Sequence, residues 1–207
     1  MIDPRSSPNS RPIMSDVAAL AAERVEERAV GPARSRRLTA IANLHYAFIW
    51  RSLRRLGVAG QAADDAAQQV FVLCAVKLDV IAEGRERAFL FQTALRVAMS
   101  LRRDFAQRRE AFLGEDIDQF VDPEPRPDVA VEVMQRRALL DRVLDMLPMD
   151  QRAVFVLYEI EGLAAKEIAA LLSIPVGTVA SRLKRGRETF QSGAARVRLQ
   201  MERGAKR

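Results

Sequence analysis

Basic and hydroxyl-bearing side chains are concentrated near the C-terminus of this 207-residue sequence. At positions 176–190, spacings of three and four residues predict a helix that presents these groups on one exposed face. Arginine pairs in bidentate fashion with guanine, and a Ser or Thr hydroxyl binds phosphate or a base edge. The face therefore suits the major groove of DNA, although an ordinary helical hairpin with a solvated basic face would carry the same charges. The candidate DNA-binding residues are Thr178, Ser181, Arg182, Lys184, Arg185 and Arg187.

Two predicted helices, at residues 164–172 and 176–190, would position this face as a helix-turn-helix. In the first helix the small Ala169 permits a close helix crossing. Ser173 then opens a tight break, and Pro175 suits the first turn of the next helix, where its missing N–H is not needed. A small residue, a short break and a basic face in this order are more specific than charge alone, and they favour DNA binding. The apolar stripe predicted for the second helix consists of Val176, Val179, Leu183, Gly186 and Phe190.

The overall composition fits a nucleic-acid-binding protein. Lys and Arg number 33 against 27 Asp and Glu, and the net charge of +6 favours a polyanionic partner such as nucleic acid or an anionic membrane surface. No stretch approaches the ~18 apolar residues that span a bilayer, and the N-terminus lacks the apolar core of a secretory signal. A cytoplasmic protein without membrane insertion is therefore expected.

Scarce glycine and proline and a widespread helical apolar period predict an all-α fold. Pro123, Pro125 and Pro127 forbid a continuous helix within an acidic segment, which predicts a linker between two small helical domains. A solvated tether is its simplest interpretation. The predicted divisions are a disordered extension at 1–34, a helical domain at 35–113, the linker at 114–130, the helix-turn-helix domain at 131–195 and a basic tail at 196–207.

Three helices are predicted in the first domain, at residues 38–56, 62–80 and 87–109. Gly57 is expected to end the first helix in a left-handed conformation, and Gly84 marks the break before the third.

No pattern in the sequence indicates an enzyme or a cofactor. There is no Gly-rich phosphate loop, nucleophile elbow or carboxylate pair in a plausible catalytic frame. His45 and Cys74 are the only residues of their types, they fall in separate predicted helices, and no second ligand pair has metal spacing. Cys74 is expected to be a small core residue, and Trp50 a core or interface residue.

The C-terminal residues resemble the promoter-reading domain of bacterial sigma factors. The segment LPMDQRAVFVLYEIEGL at 147–163 is similar to the family's lead-in, and GTVASRLKRGRE at 177–188 to its helix-turn-helix. With only one further helical domain, the chain is most similar to the extracytoplasmic-function (ECF) group. The resemblance implies that this domain binds the minus-thirty-five element. Ala164 stands where Ser or Thr often caps the first helix, so a less firm start is expected there.

The segment DDAAQQVFVL at 64–73 resembles the family's helix that docks on the clamp helices of the largest polymerase subunit. Gln69 replaces the usual Glu. Without the resemblance, simple solvation would be the better interpretation of Asp65 and Gln68. The core polymerase-binding residues that the resemblance implies are Asp65, Gln68, Gln69, Phe71 and Val72.

The segment at residues 87–110 resembles the part of the family that opens the minus-ten element and holds a flipped base. Arginines there could neutralise phosphates, and aromatic rings could stack on unpaired bases. At least one of Phe89 and Phe91 is expected in the core. Three residues depart from the family, since Phe89, Arg96 and Ser100 stand where Trp, Asn and Asp are usual. The implied minus-ten DNA-binding residues are Phe89, Arg96, Ser100, Arg102 and Arg103.

Together these patterns predict a promoter-specificity factor that binds core RNA polymerase and promoter DNA. An anti-sigma factor would be a further partner, because many relatives are controlled that way. The alternative is a polymerase-independent helix-turn-helix regulator with a sensing or dimerisation domain in the first block, against which the 64–73 segment argues. A protein-interaction module with a basic surface is a third class, and it would show no salt-dependent DNA binding.

Overall fold

The computed structural model describes residues 31–111 and 129–204, and every regular element in these two ranges is helical. Within each of the two ranges short connections join the helices, among them a 3₁₀ turn at Leu78–Val80 and a π turn at Val156–Ile160. The predicted all-α fold class is confirmed for these ranges. The helices are α1 Pro32–Arg55, α2 Gly60–Lys77, α3 Glu86–Ala111, α4 Val129–Asp145, α5 Met149–Phe155, α6 Ala165–Leu172 and α7 Val176–Gly204.

Two glycines separate the first three helices, as predicted. Gly57 has a φ of 95° and follows the end of α1, and its N–H donates to the Arg54 carbonyl at 3.1 Å. A Cβ atom at this position would lie 2.5 Å from Nη1 of Arg102, which is the movable end of a long side chain, so the positive φ is what favours glycine here. Gly84 has a φ of 78° in the connection before α3.

The first helix begins earlier than predicted. It starts at Pro32, inside the segment assigned to a disordered extension, so that assignment is wrong for residues 32–34. Proline is favoured in a first helical turn. Arg37 then ties the start of α1 to the α2–α3 connection, because its Nη2 donates to the Ile81 carbonyl at 2.8 Å and to Oε1 of Glu86 at 2.7 Å. The apolar period carries no signal for such contacts.

Buried apolar side chains from both predicted domains form one continuous core. Helix α3 packs against α1 and α2 on one side and against α6 on the other. The two halves of the chain are therefore packed on each other rather than held apart. Fully buried members of this core from the two halves include Ile49, Phe91, Leu157, Ile168 and Val179.

Parts of the predicted organisation fall outside the described residues. These parts are residues 1–30 of the extension, residues 112 and 113 of the first helical domain, residues 114–128 of the linker and residues 205–207 of the tail. Residues 129 and 130, assigned to the linker, are the first residues of α4, and α7 continues through residues 196–204. No helix in the described ranges has both the length and the apolar character needed to cross a bilayer.

Cys74 is fully buried on α2, as predicted, and burial raises the pKa of its thiol to about 11. Because the thiolate is the reactive form, we expect a disulfide reagent at pH 8 to modify the native chain about a hundredfold more slowly than the denaturant-unfolded chain. The reagent releases a coloured thiol when it reacts, and the absorbance of that product measures the rate for the native and the unfolded chain. Equal rates before and after unfolding would contradict the buried position.

Candidate nucleic-acid interface

Helices α6 and α7 form the predicted helix-turn-helix. Ser173 adopts a left-handed conformation with a φ of 56°, which ends α6. The next residue, Ile174, donates its N–H to the Ala169 carbonyl at 3.1 Å. The Pro175 carbonyl accepts the N–H groups of residues 178 and 179 at 2.9 and 3.1 Å, so this proline lies just before α7 rather than within its first turn. These bonds satisfy backbone groups at both helix ends and fix the turn.

The start of α6 is capped despite the alanine at its N-terminus. The N–H of Ala164 donates to the Glu167 carboxylate at 2.7 Å, which supplies half of a capping box without a hydroxyl. An acidic group in the first turn also complements the helix dipole.

Most of the predicted apolar stripe on α7 packs inward. Val179 is fully buried, Leu183 is nearly so, and Phe190 stacks on Phe155 with ring centroids 4.8 Å apart. Val176 is 45% exposed, so its predicted place in the stripe is wrong. It occupies the first residue of α7, where the preceding turn leaves its side chain in solvent.

The opposite face of α7 brings the predicted DNA-binding residues together. Ser181, Lys184 and Arg185 are exposed, whereas Thr178 and Arg182 are half-buried. The Ser181 hydroxyl donates to the Thr178 carbonyl at 3.0 Å. Within the described part of the chain, no ion pair engages Lys184 or Arg185, so both remain available to a ligand.

Two arginines of the predicted set are paired within the chain. Nε of Arg182 lies 3.1 Å from the Asp150 carboxylate, and Nε of Arg187 donates to Glu159 at 2.7 Å. The Arg187 guanidinium also lies 5.3 Å from the centre of the Tyr158 ring. The charged groups of both pairs are about one-third exposed or more, and ion pairs at such exposed positions contribute little to stability. A DNA phosphate could therefore replace either carboxylate at small cost.

Helix α3 carries the residues predicted to bind the minus-ten element. Arg96, Ser100 and Arg103 follow spacings of four and three residues and share a face, on which Arg96 and Arg103 are exposed and Ser100 is half-buried. Phe89 is half-buried against the core, and Phe91 is fully buried, which confirms that at least one of the two belongs to the core.

Arg102 points away from that face. Its Nη1 donates to Oδ1 of Asp145, the last residue of α4, at 2.7 Å. The structure therefore engages one predicted DNA-binding arginine with the other half of the chain.

Helix α2 carries the residues predicted to bind core polymerase. Asp65 and Gln68 are exposed, and Gln69 and Val72 are half-buried beside them. Phe71 instead packs against the core and stacks on Tyr46, with ring centroids 5.9 Å apart, so it supports the surface more than it forms it.

Trp50 is half-buried at the α1–α2 contact. Its indole Nε1 donates to Asp64 at 2.9 Å, and the Tyr46 hydroxyl lies 3.4 Å from the same carboxylate. These contacts hold α1 against the side of α2 from which Asp65 and Gln68 project. The aromatic residues in 44–57 were the sequence signal for this contact.

Arg152 is a buried charged residue that the sequence patterns did not indicate. Its side chain is fully buried, its Nε donates to the Arg55 carbonyl at 2.6 Å, and its Nη1 donates to Asp145 at 2.5 Å. Burial lowers the pKa of the guanidinium, and the Asp145 carboxylate opposes that effect. Its position inside the sequence LPMDQRAVF was the only available signal.

Comparison with known proteins finds a family match within the second half of the chain. Residues 137–190 match the family model described as "Sigma-70, region 4". The chain is 30% identical over 148 residues to the ECF RNA polymerase sigma factor SigE of Mycolicibacterium smegmatis, covering 72% of this chain and 58% of that protein. It is 30% identical over 138 residues to the probable RNA polymerase sigma factor RfaY of Xanthomonas campestris, covering 63% and 34%. The chain thus spans less than two thirds of either relative.

Two solved structures share the fold. The structure of CnrH in complex with the cytosolic domain of CnrY has a TM-score of 0.58 and 23% identity, and covers 84% of this chain and 94% of that chain. The sigma factor RpoE in complex with the anti-sigma factor NepR from Bartonella quintana has a TM-score of 0.57 and 22% identity, and covers 73% and 92%. The shared architecture agrees with the all-α fold of the described residues.

Proposed function

We propose that the chain is a bacterial RNA polymerase sigma factor of the ECF group, which binds core RNA polymerase and directs transcription initiation to specific promoters. One observation carries the proposal: the region 4 match falls on a helix-turn-helix whose second helix exposes Ser181, Lys184 and Arg185. Such a face fits the major groove, where arginine and hydroxyl groups read base edges and bind phosphate.

In this proposal each exposed surface has its own task. The face of α7 reads the minus-thirty-five element, and the face of α3 around Arg96, Ser100 and Arg103 binds the minus-ten element. The neighbouring Arg102 joins that minus-ten surface once it is released from Asp145. The face of α2 around Asp65 and Gln68 docks on the clamp helices of the largest polymerase subunit. The docking role of α2 is supported by the exposure of Asp65 and Gln68 and by the Trp50–Asp64 hydrogen bond that joins α1 to α2.

In this proposal the chain acts by binding rather than by catalysis, and the polymerase carries out RNA synthesis. Its expected place is the cytoplasm, where core polymerase and promoter DNA are found. An anti-sigma factor is a further proposed partner, in line with the fold shared with an RpoE that was solved bound to NepR.

Core polymerase binding tests the proposal. We expect the tagged chain to retain purified core enzyme, and the double variant Asp65→Ala with Gln68→Ala to bind at least about tenfold more weakly, because two central contacts of about 1 kcal/mol each are lost. Equilibrium binding by fluorescence anisotropy measures the difference.

Lys77→Ala is the matched control for this experiment. Lys77 is exposed on the last turn of α2, about 120° around the helix from Asp65, and its replacement should leave binding unchanged. Failure of the wild-type chain to bind core polymerase would refute the proposal and favour the polymerase-independent regulator.

A further inference from the structure

A shared carboxylate joins the two halves of the chain. Asp145 accepts hydrogen bonds from Arg152 at 2.5 Å and from Arg102 at 2.7 Å. Arg152 also donates to the Arg55 carbonyl at the end of α1. The end of α1, helix α3 and the α4–α5 connection therefore meet at one point, next to Gly57.

A second contact closes the same interface at the helix-turn-helix. Nε2 of Gln92 on α3 donates to the Leu171 carbonyl at 2.8 Å and lies 3.2 Å from the Ser173 hydroxyl oxygen. Leu171 lies in the last turn of α6, where the carbonyl groups have no partner within the helix. The side chain of Gln92 thus completes the end of α6 from the other half of the chain.

Weaker ion pairs run between the same halves. Arg51 lies 3.3 Å from Glu161, and Arg55 lies 3.8 Å from Asp141. The interface therefore combines the shared core with polar contacts at several points along it.

This closed arrangement cannot read both promoter elements at once. The minus-ten and minus-thirty-five elements are centred about 25 base pairs apart, which corresponds to roughly 80 Å along DNA. Helix α3 is only about 40 Å long, and α6 packs directly against it. The two halves must separate before α3 and α7 can reach their own elements.

We propose that Asp145 is a latch that holds this closed state by occupying Arg102 in place of a promoter phosphate. The proposal rests on the proposed function, because it takes Arg102 to be a minus-ten DNA contact. A phosphate that binds Arg102 competes with Asp145 and so weakens the interface. By linkage, opening of the interface must strengthen DNA binding at Arg102 by the same factor.

The contacts of Arg152 also explain why loss of the Asp145 carboxylate would favour separation of the two halves. Arg152 is fully buried, and a buried cation without a counter-ion is strongly destabilising. In Asp145→Asn the Arg55 carbonyl and the new amide oxygen can still accept hydrogen bonds from Arg152, but the paired negative charge is lost and Asp141 acts only as a weaker counter-charge. Separation of the halves would return the guanidinium to water. Charge removal at Asp145 therefore shifts the equilibrium toward the open state.

The test measures shape and DNA binding of the free full-length chain. We expect Asp145→Asn to increase the radius of gyration in small-angle X-ray scattering, and to bind a single-stranded oligonucleotide about fivefold more tightly in anisotropy. Gln92→Ala, which removes one side chain at the other contact, should change both quantities in the same direction. Circular dichroism checks that helix content is retained.

Glu202→Gln is the matched control. The Glu202 carboxylate is 56% exposed against 54% for Asp145, and it pairs with Arg198 on the same helix. We expect it to leave both quantities unchanged. If Asp145→Asn loses helix content, Gln92→Ala decides the outcome.

Unchanged dimensions in the folded latch variants, or an equal expansion in Glu202→Gln, would overturn the latch. Scattering uses no polymerase, so this failure is distinct from failure of the proposed function. If Asp145→Asn expands but the wild-type chain does not bind core enzyme, the latch proposal stands and the sigma-factor proposal is refuted.

Discussion

Replacement of Arg182 and Arg185 together by alanine should lower promoter-directed transcription about tenfold to a few hundredfold, while binding to core polymerase stays unchanged. A good bidentate contact to a base contributes about 1–3 kcal/mol of discrimination. Arg185 is exposed and ready to make such a contact. Arg182 must first leave Asp150, at a cost of about 1 kcal/mol or less, so it should contribute the smaller share.

Run-off transcription from the cognate promoter measures this effect. The double variant Arg196→Ala with Arg203→Ala is the control, because it removes the same charge from exposed positions further along α7. We expect the control to retain nearly full activity. Equal transcription by the wild-type chain and the Arg182 and Arg185 variant would contradict the proposed role of this face, as would an equal loss in the control.

Arg152→Ala should lower the free energy of unfolding by about 3 kcal/mol. The substitution leaves a cavity at a fully buried site, and it deprives the Arg55 carbonyl of its donor. Urea unfolding followed by circular dichroism measures the change, with the slope of the transition checked for constancy.

Arg152→Met separates the packing contribution from the charge contribution. It keeps most of the apolar volume, and Asp145 remains exposed and paired with Arg102, so no buried charge is left alone. We expect a loss of about 1 kcal/mol, which is the lost donor to Arg55. A methionine variant less stable than the alanine variant would contradict this account of the site.

Local sequence signals predicted the elements well. Gly57 and Gly84 mark the ends of helices because only glycine adopts their backbone conformations cheaply, and Ser173 and Pro175 mark the turn between α6 and α7. These features depend on residues that are neighbours in the sequence. The boundary at the start of α1 was wrong because it depends on Arg37, whose partners lie more than 40 residues away.

The sequence predicted which residues share a helix face in the candidate site, but it did not predict the contacts that those residues make with other helices. The period of α7 places its basic residues on one face, and the structure agrees. The pairing of Arg102 with Asp145 and of Gln92 with Leu171 joins residues 43 and 79 positions apart, on which helical periodicity is silent. The DNA and polymerase roles of individual residues remain predictions.

The most direct test of the central claim is transcription with purified core polymerase on a pool of promoter-bearing genomic fragments. We predict discrete transcripts that require the chain, and that disappear with the variant Asp65→Ala and Gln68→Ala although this variant remains folded. A chain that binds fragments of the pool but yields no transcript with core enzyme would contradict the account.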